Sequence, residues 1–516
     1  MKPVYGLDAR LFLATRRVSR STVLSTMRGM QTIDGALHVA SEKITDGKTA
    51  RITEKWSGDA LADVVLADER LADRATAASV NAFEQFRDVS NYTRKQLCFT
   101  IARGLEKDSD QLAIQLAKEC GKPITQARGE IARAVSTFEI ASEEATRIGG
   151  EVMPLDITKP SEGYRGEWFR VPAGPVIGIS PFNFPMNLVA HKVAPALACG
   201  ASIVLKPPPQ CPLSALSLAA ITRDAANKVG APENILQVLP CENAVAEKLV
   251  TDDRFKLLSF TGSDKVGWHL KSVAGKKKVV LELGGNAAAL VHDDADLDFA
   301  FERIFGGAFG YSGQVCIKVQ RIYVQNTIHA KFLEKLASKA RDTKPVDPMD
   351  EKGVLSCVID DANGKRIESW VNEAIQAGAK LIAGGTRDGA KVLPTVLSIA
   401  GKGKGMKVVD DEIFGPVVTV HAYETWDDAL DMASDTRFGL QAGIFTDSHS
   451  RIRQAVKRID AGGIIVNDVP TFRVDNMPYG GVRDSGLGRE GVRFAIEDMC
   501  ETKLVVYREP LKSPKK

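Results

Sequence analysis

From residue 176 onward, short apolar runs alternate with longer stretches in which apolar residues recur every three or four positions. The runs are VIGIS (176–180), SIVL (202–205), ILQVL (235–239), KLLSF (256–260) and KVVLEL (278–283). Between them lie segments such as LSALSLAAITRDAANKVG, amphipathic and closed by glycine. Continuous apolar runs of this length read as strands buried on both faces. With helices between them, they predict a parallel sheet covered on each side, a doubly wound α/β architecture of the nucleotide-binding kind. A second series follows Cys316, with RIYV, VTVHAY and GIIVN as strands, and predicts a second α/β domain. Upstream, residues 108–147 read as two helices. DSDQLAIQLAKECGKP carries an aspartate cap, an apolar face through Leu112, Ala113, Leu116 and Ala117, and a Gly121–Pro123 stop. ETKLVVY near the end is a candidate to add a strand to another subunit.

A chain of 516 residues exceeds one ordinary core and implies two or three domains. With 44% hydrophobic and 26% charged residues it has the composition of a soluble globular protein. A net charge of +3 is small for this length and gives no reason to expect nucleic-acid or membrane partners. The lysine-rich segments at 276–278 and 512–516 read as solvated ends. No apolar run is long enough to span a bilayer. The eight cysteines form no CxxC pair and no metal-ligand spacing, so no metal is expected. Reduced thiols in the cytoplasm are the expectation. The first 33 residues hold six basic residues against Asp8, which resembles an organellar transit segment; a start placed upstream of Met27 or Met30 explains them equally well.

Four stretches carry candidate chemistry. TGSDKVG (261–267) follows a strand, with Gly262 and Gly267 flanking a tight turn and Ser263 at the helix start, where N–H groups favour a pyrophosphate. An ordinary strand-to-helix turn is the competing reading. LELGGN (281–286) ends a strand on Glu282, an awkward place for a carboxylate unless it faces a cleft or solvent. ISPFNFPMN (179–187) holds Asn183 between two aromatics in a proline-bounded turn, as an oxyanion donor or as a plain turn residue. GYSGQVCIKVQR (310–321) puts Cys316 behind a small, flexible lead-in; alone, such a cysteine reads more readily as a buried filler than as a nucleophile. Thiol, amide, carboxylate and dinucleotide fold together make the parts for covalent chemistry on a carbonyl.

These motifs are shared with a known family. PFNFP with Asn183, LKPPPQCP with Lys206, FTGS at 260–263, LELGG with Glu282, GQVCIKVQR with Cys316, EIFGPV with Glu412 and Phe414, and PYGGVRDSGLGREG (478–491) occur in family order and at family spacing. From about residue 36 to about 510 the chain resembles the aldehyde dehydrogenase superfamily. The resemblance implies two doubly wound α/β domains plus a small β oligomerisation hairpin. The cofactor domain would be built from 36–153 and 173–283, the catalytic domain from 284–484 and the hairpin from 154–172 and 498–510, after an extension over 1–35. It implies oxidation of an aldehyde to a carboxylic acid with NAD or NADP, through a cysteine thiohemiacetal and thioester, in a homodimer or homotetramer. Cys316 would be the nucleophile, Asn183 with the Cys316 N–H the oxyanion donors, and Glu282 the general base. Lys206 and Glu412 would hold the riboses, Gly262, Ser263 and Gly267 the pyrophosphate, and Phe182 and Phe414 would pack near the nicotinamide.

Three departures qualify this. Pro209 stands where the family often has the glutamate that binds the adenosine 2′-hydroxyl, so NAD and NADP are both open. Asn286 replaces the usual lysine after LELGG, and Cys241 a usual glycine. PTFRVDNMPYGG (470–481) resembles the lactaldehyde and non-phosphorylating glyceraldehyde-3-phosphate branches, and Arg473 is a candidate for an anionic or hydroxylated substrate tail, or else a solvated loop residue. Val315 argues against a phosphorylated substrate, because phosphate-binding members commonly have arginine there. The expected substrate is a small, polar aldehyde. The rivals are an enzyme passing its acyl group to CoA, which generally lacks the glutamate base, and a non-catalytic protein on the same fold, which should have lost one of the three groups.

Overall fold

The computed structural model of the protein describes residues 35–508. The N-terminal residues considered above as a transit segment lie outside them. The five apolar runs form five parallel strands in the spatial order Lys278–Glu282, Leu257–Thr261, Val176–Ile179, Ile203–Lys206, Leu236–Val238. The two residues Gly486–Leu487 add an antiparallel edge beside Leu281 and Glu282. The side chains of the five parallel strands are almost all buried, which is why the runs do not alternate. The order reverses between Val176–Ile179 and Leu257–Thr261, so connections leave these neighbouring strands in opposite directions and open a crevice at their carboxyl ends. ISPFNFP and TGS both begin there.

A second sheet runs Lys380–Ala383, Thr395–Ser398, Val417–Tyr423, Arg321–Gln325, Ala288–Val291, Gln441–Phe445, Gly463–Val466, parallel except for the first strand. Gly150–Pro154, Tyr164–Pro172 and Cys500–Arg508 make a three-stranded antiparallel sheet. The final strand, expected to serve another subunit, pairs with its own chain over nine residues from Cys500↔Pro172 to Arg508↔Tyr164. Among the described residues no helix is long and apolar enough to cross a membrane.

The two upstream helices run Ser109–Cys120 and Ile124–Glu144, separated by Gly121 in a left-handed conformation (φ 69°). The expected aspartate cap is not made: Asp108 also closes the preceding helix, and its side chain bonds no first-turn N–H. A different carboxylate organises this region. Glu130 lies buried on the second helix and accepts from the N–H groups of Met186 (2.9 Å) and Asn187 (3.0 Å), where the fully buried helix Asn187–Cys199 begins. Its other oxygen pairs with the buried Lys122 ammonium. Lys122 in turn donates to the Asn183 carbonyl (2.8 Å) and lies against the rings of Phe184 and Tyr311. This ion pair therefore ties the PFNFP turn to the helical layer.

Removing one partner of a buried pair strands the other, at a cost of about 3–5 kcal/mol. Glu130→Ala should lower stability to urea by about that amount, and Glu130→Gln, which keeps an acceptor for the helix start, by less. Unchanged unfolding of Glu130→Ala would show that the pair does not hold the turn.

Candidate active site

Cys316 follows an unusual piece of backbone. Tyr311, Ser312 and Gly313 all have positive φ (50°, 53° and 69°), a run that L-residues adopt only when their surroundings enforce it. A Cβ on Gly313 would fall 2.2 Å from the Gly415 carbonyl, so the loop is pressed onto the segment carrying Glu412 and Phe414. A Cβ on Gly285 would fall 2.4 Å from the Cys316 carbonyl, so the LELGG turn is equally close. Asn183, buried, donates through Nδ2 to the Gln314 carbonyl at 3.0 Å, two residues before the cysteine. An amide NH2 has a second hydrogen, which this bond leaves available. The structure thus brings Cys316, Asn183 and the turn after Glu282 to one place.

Glu282 closes its strand beside Thr261, only 3% exposed, and neither carboxylate oxygen has a hydrogen-bond partner. A Cβ on Gly480 would come within 2.8 Å of Oε1, so glycine there makes room for the carboxylate. Burial, then the charge of Glu490, push the Glu282 carboxyl well above its usual range, with Arg473, Lys192 and Arg489 offsetting this only in part. Glu490 shifts the opposite way. Burial would raise it, but Lys192 and Arg473 outweigh that and hold it ionised. Arg473 Nη2 donates to Glu490 Oε2 at 2.9 Å, and Lys192 Nζ lies 3.3 Å from Oε1. Lys192 also donates to Thr261 Oγ1 (2.7 Å) and Ser259 Oγ (3.1 Å). Two carboxylates in one pocket pushed apart in this way are poised for different roles.

Cys316 is partly buried; its sulfur lies 3.0 Å from the Tyr479 hydroxyl. Burial pushes the thiol up to about 12, while Tyr479 and Arg473 pull it down and Glu412 and Glu282 add to the rise. Arg473 is not a solvated loop residue. Its side chain is 7% exposed, its guanidinium carbon sits 3.6 Å from the Tyr479 ring centroid, and its Nε has no partner.

The expected cofactor residues line the carboxyl ends of the first sheet. Lys206 ends a strand, buried, with a long 3.5 Å contact to Asn243 Oδ1, and Pro209 lies exposed in the turn beyond it. Gly262 sits in the turn after Leu257–Thr261. Ser263 occupies the cap position of the helix Asp264–Val273, and its exposed hydroxyl makes no capping bond. Gly267 requires a correction: it does not flank the turn but lies inside that helix, where a Cβ would be 2.3 Å from Leu283 Cδ2. Its role is close packing of helix on strand. Glu412 accepts from the Gly285 N–H at 3.0 Å, and burial raises its carboxyl to about 7. Phe414 (φ 46°) meets Phe182 edge-on at 5.7 Å. An ammonium at a strand end, an uncommitted hydroxyl at a helix start and a buried carboxylate against the LELGG turn suit the phosphates and riboses of a dinucleotide.

The sequence model of the aldehyde dehydrogenase family matches residues 43–505. The chain belongs to the aldehyde dehydrogenase family. It is 40% identical over 471 residues to the 3-sulfolactaldehyde dehydrogenase of Priestia aryabhattai, covering 91% of this chain and 97% of that one. It superposes on aldehyde dehydrogenase 21 of Physcomitrella patens, solved with the reaction product succinate, with a TM-score of 0.88 and 41% identity over 92% of this chain and 98% of that one. It superposes on the glyceraldehyde-3-phosphate dehydrogenase GapN of Methanocaldococcus jannaschii, complexed with NADP, with a TM-score of 0.86 and 34% identity over 90% of this chain and all of that one. This aldehyde dehydrogenase oxidises an aldehyde to its acid with reduction of NAD or NADP.

Sequence reasoning missed Tyr479, Lys192, Glu490 and the Lys122–Glu130 pair. Lys192 carried a usable signal: a lone lysine within the apolar helix Asn187–Cys199 must find a partner.

The state of Glu282 has a consequence for stability. Its carboxyl is raised in the fold, so the wild type loses stability as pH rises from about 4.3 towards the folded value, about 1.4 kcal/mol for each pH unit between them. Glu282→Gln lacks that loss. It should melt above the wild type at pH 8, with the gap closing near pH 4.3. An equal or lower melting temperature at pH 8 would contradict the burial argument.

Proposed function

We propose that Cys316, Asn183 and Glu282 carry the oxidation, and that the substrate is a small polar aldehyde with an anionic or hydroxylated tail. The observation that supports this most is the meeting of a thiol, an amide donor and a partnerless carboxylate within one pocket at the strand ends. The Cys316 thiolate gives its electron pair to the aldehyde carbon, and the carbonyl pair moves to oxygen. The second Asn183 Nδ2 hydrogen and the Cys316 backbone N–H donate to that oxyanion. The nicotinamide, when bound, supplies the hydride acceptor. Glu282 then draws a proton from the water that cleaves the thioester, a base contribution of about 10²–10⁴-fold. A raised carboxyl suits this, because it accepts a proton more readily than a free one. A buried carboxylate whose charge reaches the sulfur also favours water over CoA as acyl acceptor.

Lys206, Ser263, Glu412, Phe182 and Phe414 would hold the cofactor, and Gly262 would admit the pyrophosphate. With Pro209 exposed after Lys206, no carboxylate from that position repels a 2′-phosphate, which supports acceptance of both NAD and NADP. Arg473, buried beside Tyr479 with its Nε unpaired, is the proposed contact for the tail. The substrate in the name of the Priestia relative and the succinate held by the Physcomitrella enzyme are both small and anionic, which agrees. Eight unbonded cysteines support a cytoplasmic setting. Exposed Val152, Leu504, Val506 and Tyr507 on the three-stranded sheet support a homodimer or homotetramer joined there.

Absorbance of reduced nicotinamide, followed over a panel of aldehydes with each cofactor, tests this reading. Small anionic aldehydes should be the best substrates, Asn183→Ala should cost about 10²–10³ in kcat, and Cys316→Ser should be inactive. Turnover by Cys316→Ser at the wild-type rate would overturn the reading. Sedimentation should give a species of two or four chains, and Leu504→Asp should shift it towards one; an unshifted profile would exclude that sheet as the interface.

A further inference from the structure

Tyr479 belongs to none of the roles assigned so far, yet its hydroxyl is the polar group bonded to the Cys316 sulfur. The two residues lie 163 positions apart. The ring is buried, held by a pair of backbone bonds to Glu490 (Tyr479 N to Glu490 O, 3.0 Å; Glu490 N to Tyr479 O, 2.6 Å) and packed with Ile317 and Leu440. Arg473 lies over its face at 3.6 Å and is anchored by Glu490 at 2.9 Å. A cation on a phenol ring draws electron density from it and makes the O–H a stronger donor. The phenol itself stays protonated, because burial and the neighbouring sulfur push it well above its ordinary value.

We propose that Tyr479 is a further catalytic residue: its O–H donates to the Cys316 thiolate and stabilises the attacking sulfur, with the Arg473 cation behind the ring. When Cys316 is ionised, the proton between oxygen and sulfur belongs to oxygen, so Tyr479 must be the donor. The tyrosine keeps that proton throughout. The sulfur's own proton leaves for a base or water, and the freed pair forms the bond to carbon. Once that bond forms, the sulfur loses its charge and most of its strength as an acceptor, so the hydroxyl is released towards the substrate. Without this donor, the sulfur would ionise only against the burial that raises it.

The inference rests on Cys316 being the nucleophile, and the test separates the two claims by reading the sulfur without any aldehyde. Rates of Cys316 alkylation by iodoacetamide, located by peptide mass spectrometry, are followed from pH 7 to 9 in the wild type and Tyr479→Phe. The variant keeps the ring and should melt at the wild-type temperature. Both rates should rise with pH, with the variant displaced upward by about one pH unit in its ionisation. Because a more basic thiolate is also a better nucleophile, this reads as a three- to fourfold slower reaction at a given pH, about tenfold from ionisation offset by about threefold from nucleophilicity. The kcat of aldehyde oxidation should fall, with KM little changed. Alkylation of Tyr479→Phe at the wild-type rate or faster at every pH would overturn the proposal, whatever the fate of turnover. Inactivity of the unaltered protein with every aldehyde, alongside the expected alkylation difference, would overturn the functional reading alone.

Discussion

Two cations and two carboxylates share one enclosed pocket, and they do not share it equally. Glu490 receives Arg473 at 2.9 Å and Lys192 at 3.3 Å, while Glu282 receives neither and keeps both oxygens without a partner. Burying ions is affordable only in combination, so the cluster must be built as a whole. Its members come from the helix Asn187–Cys199, the strand Lys278–Glu282, and the loops around 473 and 490. That requirement joins the first sheet to the C-terminal segment. It also leaves one carboxylate high and unpaired, a state that costs stability and that the proposed role as base would use.

The backbone around the sulfur obeys the same logic of enforced proximity. Three successive left-handed residues, two of them not glycine, deliver Cys316 between the LELGG turn and the Glu412 segment. Glycines at 285, 313 and 480 are needed there because backbone or carboxylate occupies the space a Cβ would take. Asn183 reaches the same loop from the turn after the central strand Val176–Ile179 and is held from behind by Lys122 and Glu130. Strain and buried charge are concentrated at the proposed site, and the two sheets bear the cost.

The sheets were legible because strands buried on both faces leave continuous apolar runs, and each predicted run appears within about a residue of its place. Asn183, Glu282 and Cys316 were legible through motif order, and they do converge. What sequence reading could not supply was pairing across long separations. Lys192 and Glu490 stand 298 positions apart, and no local pattern joins them. Gly267 was misread for a related reason: a glycine that admits a neighbouring side chain looks, in sequence, like one that makes a turn. Arg473 was singled out as a site residue, but its commitment to Glu490 and its stacking on Tyr479 depend on a fold that brings two distant loops together.

The central claim is that Cys316 carries the acyl group and Glu282 frees it. Intact-mass analysis of Glu282→Gln, mixed with an accepted aldehyde and oxidised cofactor, tests it most directly. The account predicts an added acyl mass that persists, maps to Cys316 and is released by hydroxylamine. A variant that turns over at the wild-type rate with no mass added to Cys316 would contradict it.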